Sequence, residues 1–382
     1  MSVSTSPDLL SLADRTVSPN MQAQADSRDL TIDFVRGLCL PLMMVDHLRN
    51  HWLTLFTYRP LGFFCAAAIF VFLSGFAVGK HLSRYLADAN PYRVYHKAWK
   101  RAAFLYALHL MVSAMAVCLA RFWPNLVSPF GREIEEALSS PWTALGHSAL
   151  FYPSAPLLDF LPMYVFLLLW TPWLLRRFQA GRLKTIFVPS FLLWLVTQAG
   201  LSIQLPPFTL AFETAGWQFL FVTALYLGFR QHTQPLERPQ GTKGLNLSLF
   251  GCMVALFMLR HSEVFGLEAF ARAIPAWWID RTSLGPLVLL NLYLWVAFLW
   301  MVPEPLQRLA RQGRIFIAMG QYSWQVFAWH VLLFYVFMSF FPQLYRYSIW
   351  GQALVICFAI VCLIFPISIA MNYVSPMAQR DQ

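Results

Sequence analysis

Charge is what this sequence has least of. Acidic and basic side chains make up 12% of its 382 residues, against about 25% in a soluble protein, which excludes a chain solvated over its whole surface. Cysteine chemistry is thin too. Cys39, Cys65, Cys118, Cys252, Cys357 and Cys362 lie in or beside apolar segments with no Cys-x-x-Cys or Cys/His spacing; that pattern describes small hydrophobes in packed helices and offers no metal set. No Walker loop, GxGxxG turn, HExxH helix or GxSxG elbow occurs, so the templates of soluble nucleotide, zinc and serine enzymes do not apply. The Ser/Asp/Gln-rich start lacks an apolar run and carries slightly more acid than base, which argues against a cleaved signal peptide and for a disordered tail over residues 1–29.

What is abundant is apolar surface. Hydrophobic residues reach 58% and aromatic ones 16%, and windows of about 20 apolar residues, the length that crosses a bilayer core, recur along the chain. The expected fold class is all-α, a polytopic integral membrane protein. Hydropathy places ten spans near 30–55, 61–79, 98–119, 157–175, 185–201, 217–229, 245–259, 286–302, 315–341 and 349–373. They form one transmembrane domain over 30–373 with a short tail at 374–382, and no linker or repeat marks a second folded domain. An even count puts both termini on one side.

The loops choose that side. Lys80, Arg84, Arg93, Lys97, Lys100 and Arg101 face only Asp88 in one loop; Arg176, Arg177, Arg182 and Lys184 fill the next even loop, followed by Arg230, Arg238 and Lys243, then Arg308, Arg311 and Arg314. The odd loops are neutral or acidic, with Glu133, Glu135 and Glu136 in one and Glu213 in another. By the positive-inside rule both termini are cytoplasmic. The net charge of +10 is therefore a topology signal, which removes nucleic acid as a partner and leaves the lipid bilayer. Oligomeric state is not encoded in any pattern here. The external loops near 121–156 and 260–285 are long enough to cap a site from outside.

Ionisable residues inside a membrane are costly and by default mark a working site. The first span holds Asp33, Arg36, Asp46 and His47. Arg36 and His47 are eleven residues apart, close to three helical turns, so on a helix they share a face about 16 Å apart. A cation at one end and an imidazole at the other suit a long ligand. Asp33 and Arg36 also stand at i, i+3, and an internal ion pair is the plainer reading. Asp46 and His47 lie about 100° apart around a helix and form no dyad unless Pro41 distorts it. Ser74, in the run Phe70-Val-Phe-Leu-Ser74-Gly75-Phe76, lines a cavity or belongs to a close packing notch. Lys97, Lys100 and Arg101 are topology signals or a phosphate clamp. Asp159 orients a substrate hydroxyl or faces the surface, and His330, deep in the ninth span, is a site or packing-network residue.

Taken together, R-x10-H in the first span (Arg36 to His47), Phe72-Leu-Ser74-Gly75, Trp217-Gln218-Phe-Leu-Phe221 and the late Gly320, Ser323, Phe327 and His330 pattern resemble the OpgC branch, the periplasmic-glucan succinyltransferases of the membrane acyltransferase-3 superfamily. The resemblance covers about 29–373. It implies an O-acyltransferase, multi-pass in the bacterial inner membrane, that moves an acyl group, succinyl in this branch, from cytoplasmic acyl-CoA to a hydroxyl of a periplasmic glucan. Acyl-CoA is then a co-substrate and no cofactor is tightly bound. His47 takes the catalytic role with Asp46 beside it. Arg36, Lys80, Arg84, Lys97, Lys100 and Arg101 hold the donor, and Ser74, Asp159, Glu213, Trp217 and His330 meet substrate. Where an Asn-Pro-like turn is expected before the Trp-Gln pair, this chain has Glu213-Thr-Ala-Gly216, a departure at the acceptor end. Direct transfer and a covalent acyl-histidine both fit. A transporter or flippase for an anionic or glycan substrate is the competing expectation, since intramembrane Arg, His and Asp also build translocation paths.

Overall fold

The computed structural model describes residues 29–48, 51–88, 90, 92–123, 139–152, 157–201, 213–234, 243–341 and 343–378. Every regular element among them is helical. The main helices are α1 (Leu30–His47), α2 (Ala66–Ser83), α3 (Arg93–Phe122), α4 (Pro141–Ala149), α5 (Phe160–Gln179), α6 (Lys184–Gln198), α7 (Thr214–Thr233), α8 (Lys243–Arg260), α9 (Pro286–Met301), α10 (Glu304–Gln312), α11 (Arg314–Gln321), α12 (Ser323–Phe340) and α13 (Ile349–Ala378).

By length and apolarity, α2, α3, α12 and residues 349–367 of α13 can cross a membrane, and α9 with α10 makes a fifth span if that bent pair counts as one. This is fewer than the ten expected. The other apolar segments are helical close to where hydropathy put them, but several are short or interrupted by polar residues. In α1 the interruptions are Asp33, Arg36 and Asp46, of which the first two are buried inside the protein. The α9–α10 axis turns by 86°, where Pro303 and Pro305 cannot continue a helix without losing its hydrogen bonds.

Three boundaries differ from expectation for local reasons. Asp29 caps α1, its carboxylate accepting from the Thr31 and Ile32 amides at 3.0 and 3.3 Å, but the helix closes at His47 instead of reaching residue 55. The expected ninth span is two helices, α11 and α12, parted at Tyr322 (φ −102°, ψ 29°). The last helix runs on to Ala378, past the tail boundary expected at 373. Of the expected N-terminal tail only Asp29 is described, and Glu133, Glu135, Glu136 and Arg238 lie outside the described residues.

The site is positioned by two helix pairs that touch backbone to backbone. Gly37 on α1 faces the Phe316 carbonyl of α11, and Gly320 on α11 faces the Asp33 carbonyl, each so closely that no Cβ fits between. On α2, Gly75 and Gly79 form a small-xxx-small stripe against α7, where Gly228 faces the Phe76 carbonyl in return. Without water to drive association, close approach of this kind and the dispersion contacts it permits hold membrane helices together. The packing notch read at Ser74-Gly75 is therefore real, with α7 as its partner.

Candidate active site

Two polar rungs join α1 to α12. Near the start of both helices, the Arg36 guanidinium donates to Ser323 Oγ, stands 3.7 Å from the Asp33 carboxylate and lies over the Phe70 ring of α2 at 5.5 Å. Three turns further along α1 and two along α12, His47 Nδ1 lies 3.0 Å from His330 Nε2, and His330 Nδ1 lies 2.8 Å from the Phe327 carbonyl of its own helix. Because 36 meets 323 and 47 meets 330, the residue numbers climb together and the two helices run in the same direction. Asp33 and Arg36 are 3% and 5% exposed and His330 is fully buried. The expected internal ion pair is present, and Arg36 serves a second helix as well.

An aromatic box surrounds the Arg36 rung. Trp324 lies 5.4 Å from Phe70 and 4.5 Å from Tyr164 of α5, and Phe160 bridges onward to Phe327 at 5.3 Å. Ser74, 1% exposed, sits beside the Tyr164 hydroxyl, which donates to the Val71 carbonyl at 3.3 Å. Asp159 stands one residue before Phe160, at the head of α5.

Asp46 turns away from His47. Its carboxyl lies beside Thr57 and in the field of Arg281, as the 100° step between adjacent helix positions requires. Arg59 and Arg281 both approach the Tyr58 ring, at 5.2 and 5.8 Å, making a cationic, aromatic cluster beside the end of α1. Sequence reading missed this cluster because its members come from two loops more than two hundred residues apart.

Glu213 and Trp217 were expected to meet substrate. In the fold Trp217 is buried, and its indole N–H donates to the Thr282 carbonyl at 2.9 Å. That carbonyl also accepts from the Glu213 amide at 3.1 Å. Both residues tie α7 to the 280–285 loop, helped by Trp194 Nε1 to Leu284 O at 2.8 Å. Burial pushes the Glu213 carboxyl up, and the Asp280 charge adds to it. Burial alone would also raise Asp280, but hydrogen bonds from the hydroxyls and amides of Thr282 and Ser283 outweigh it and hold the carboxyl below its ordinary value. A depressed carboxyl stabilises the fold above its unfolded-chain pKa and loses that contribution as pH falls through the folded value. Asp280→Asn should therefore lower the thermal midpoint at neutral pH and flatten its decline toward about pH 3, which differential scanning fluorimetry of the purified protein reads directly.

The expected donor-side cations fall in two groups. Lys80 and Arg84, at the end of α2, are joined by His232 from the last turn of α7, a residue that the charge pattern around Arg230 made legible but that sequence reading passed over. Lys97, Lys100 and Arg101 lie within the first turns of α3, Lys97 over Tyr85 at 5.8 Å; Arg101 and Arg36 both act on Tyr164, which links this group to the Arg36 rung. Lys97 and Lys100 are exposed. Among the described residues no group of His, Cys, Asp and Glu is arranged to hold a metal ion.

Several helices long and apolar enough to cross a bilayer, with a buried Arg–Asp pair and a histidine pair on parallel helices, define the class as a helical membrane protein. The family model for OpgC protein matches residues 28–374, and the chain belongs to that family, which carries a glucan-modifying acyltransferase role. Comparison with curated proteins found no significant match, and comparison with solved structures found none.

Proposed function

We propose that the protein takes an acyl group from cytoplasmic acyl-CoA and passes it to a hydroxyl of a periplasmic glucan, across the inner membrane with both termini cytoplasmic. Succinyl is the acyl group that the family resemblance favours. One observation carries the reading: Arg36 and His47 stand about 16 Å apart on one unbroken helix, with Arg101 of α3 linked to Arg36 through Tyr164 at one end and the histidine pair at the other. The phosphates of CoA rest on Lys80, Arg84, Lys100, Arg101 and His232, where Lys and Arg together suit multiply charged phosphate. The thin pantetheine arm passes Arg36, and the thioester arrives at His47.

There, His47 takes the proton of a glucosyl hydroxyl as its oxygen attacks the thioester carbonyl. The new C–O bond forms, the C–S bond breaks, and His47 returns the proton to the departing sulfur, giving ester and free CoA thiol. The transfer needs no metal and no redox partner in its balance.

The donor assignment has its own test. In proteoliposomes supplied with acyl-CoA and glucan, Lys100→Glu/Arg101→Glu should raise KM for the donor about tenfold, roughly the loss of one charge-assisted phosphate contact, and leave KM for the glucan unchanged. Equal KM values for both substrates before and after the change would make these residues topology signals alone.

A further inference from the structure

The histidine pair does more than bring two imidazoles together; it fixes which nitrogen of His47 carries a proton. A carbonyl oxygen only accepts, so at 2.8 Å from the Phe327 carbonyl the Nδ1 of His330 must hold a hydrogen. His330 is fully buried, with the Phe327 ring 5.0 Å away, and a second proton would place an imidazolium in apolar surroundings at high cost. His330 is therefore neutral, and its Nε2 offers a lone pair. The nitrogen 3.0 Å away, His47 Nδ1, can meet that lone pair only as an N–H. The rings lie within 22° of parallel, so the N–H points close to the plane in which the lone pair lies.

We propose that His330 is a positioning residue: the chain Phe327 carbonyl, His330, His47 holds His47 in the tautomer whose Nε2 is the basic nitrogen. This rests on the acyl-transfer reading above and deepens it. In the other tautomer Nε2 carries the hydrogen, has no lone pair for the glucan hydroxyl, and the ring must flip or exchange a proton before each turnover. The hydroxyl proton moves to Nε2 during attack, and Nδ1–H keeps its bond to His330 throughout, now as a charge-assisted one. His330 thus does for this base what an oriented carboxylate does in other histidine sites, without bringing a charge into the membrane. Asp46, the acid nearest in sequence, points elsewhere and does not fill that role.

The test separates positioning from substrate contact and from packing. His330→Leu keeps the bulk and removes the acceptor; His330→Gln places a side-chain oxygen near the old Nε2. Steady-state transfer should show kcat down about 10²-fold in the Leu variant, both KM values unchanged within twofold, and most of the rate restored in the Gln variant. In histidine-15N-labelled wild-type protein in nanodiscs, the His47 signals, assigned by their loss in His47→Ala, should show protonated Nδ1 and unprotonated Nε2. An Nε2–H tautomer, a Gln variant as slow as the Leu variant, or a rise in glucan KM would each overturn the proposal; the tautomer measurement decides even where the variants fail to fold. An inactive His47→Ala with an Nε2–H tautomer removes only the role of His330, whereas an active His47→Ala removes the acyl-transfer mechanism itself.

Discussion

His47→Ala is expected to leave a folded, membrane-inserted protein that transfers acyl groups at least about 10³-fold more slowly, the scale that a positioned general base contributes. Folding should survive because His47 is only half-buried and is the last residue of α1, so that its loss removes contacts with His330 and Phe334 without interrupting a helix. Its loss leaves His330 Nε2 without the His47 N–H; one neutral buried acceptor unmet costs about 1–3 kcal/mol, noticeable but short of unfolding a domain this size. The rate loss is measured by mass spectrometry of glucans incubated with proteoliposomes and acyl-CoA. A normal rate in the variant would remove His47 from the chemistry. A covalent acyl-histidine route predicts the same loss, and the two are separated by trapping: only the covalent route leaves the acyl mass on a His47 peptide when donor is supplied without glucan.

Gly320→Ala should be nearly as damaging from the opposite direction. The added methyl has nowhere to go, because its position is taken by the Asp33 carbonyl and Cα of α1, and these are backbone atoms that no rotamer change can move. Overpacking a well-filled core costs about 1–3 kcal/mol where side chains can adjust; with backbone opposed to backbone the upper end is expected. Parting α11 from α1 also moves the start of α12, and with it Ser323, away from Arg36. The variant should show a lower thermal midpoint and a loss of transfer that tracks it, while Gly146→Ala, where open space surrounds the added atom, should change neither. Unaltered stability in Gly320→Ala would mean that the two helices are not held in backbone contact.

Much of the fold was readable because apolar length and helical pitch are local properties. The Asp33–Arg36 pair followed from i, i+3 spacing, and the separation of Asp46 from His47 from the 100° step between helix neighbours. The joint at Tyr322 was missed because the polar run Gln321-Tyr322-Ser323-Trp324-Gln325 is short enough to be averaged away in a window of about 20 residues, and the early end of α1 because Trp52, Leu53, Leu55 and Phe56 continue the apolar signal beyond the helix. The site was legible only by halves. His47 and His330 each stood out as intramembrane histidines, but no spacing rule links residues 283 positions apart, and nothing local says that Trp217 would turn inward to hold the Thr282 carbonyl.

That separation has a consequence for how the molecule comes into being. The partners of Arg36 and His47 on α12 lie 287 and 283 residues further along the chain, and domains are made from the N-terminus at about 5–20 residues per second. For tens of seconds α1 carries a cation and an anion without the α12 helix that later receives them. Asp33, one turn away on the same helix, pairs with Arg36 at 3.7 Å, and the pair keeps the nascent helix close to neutral through that interval. The carboxylate that looks incidental to the chemistry is thus what keeps α1 near neutral before its partners on α12 exist.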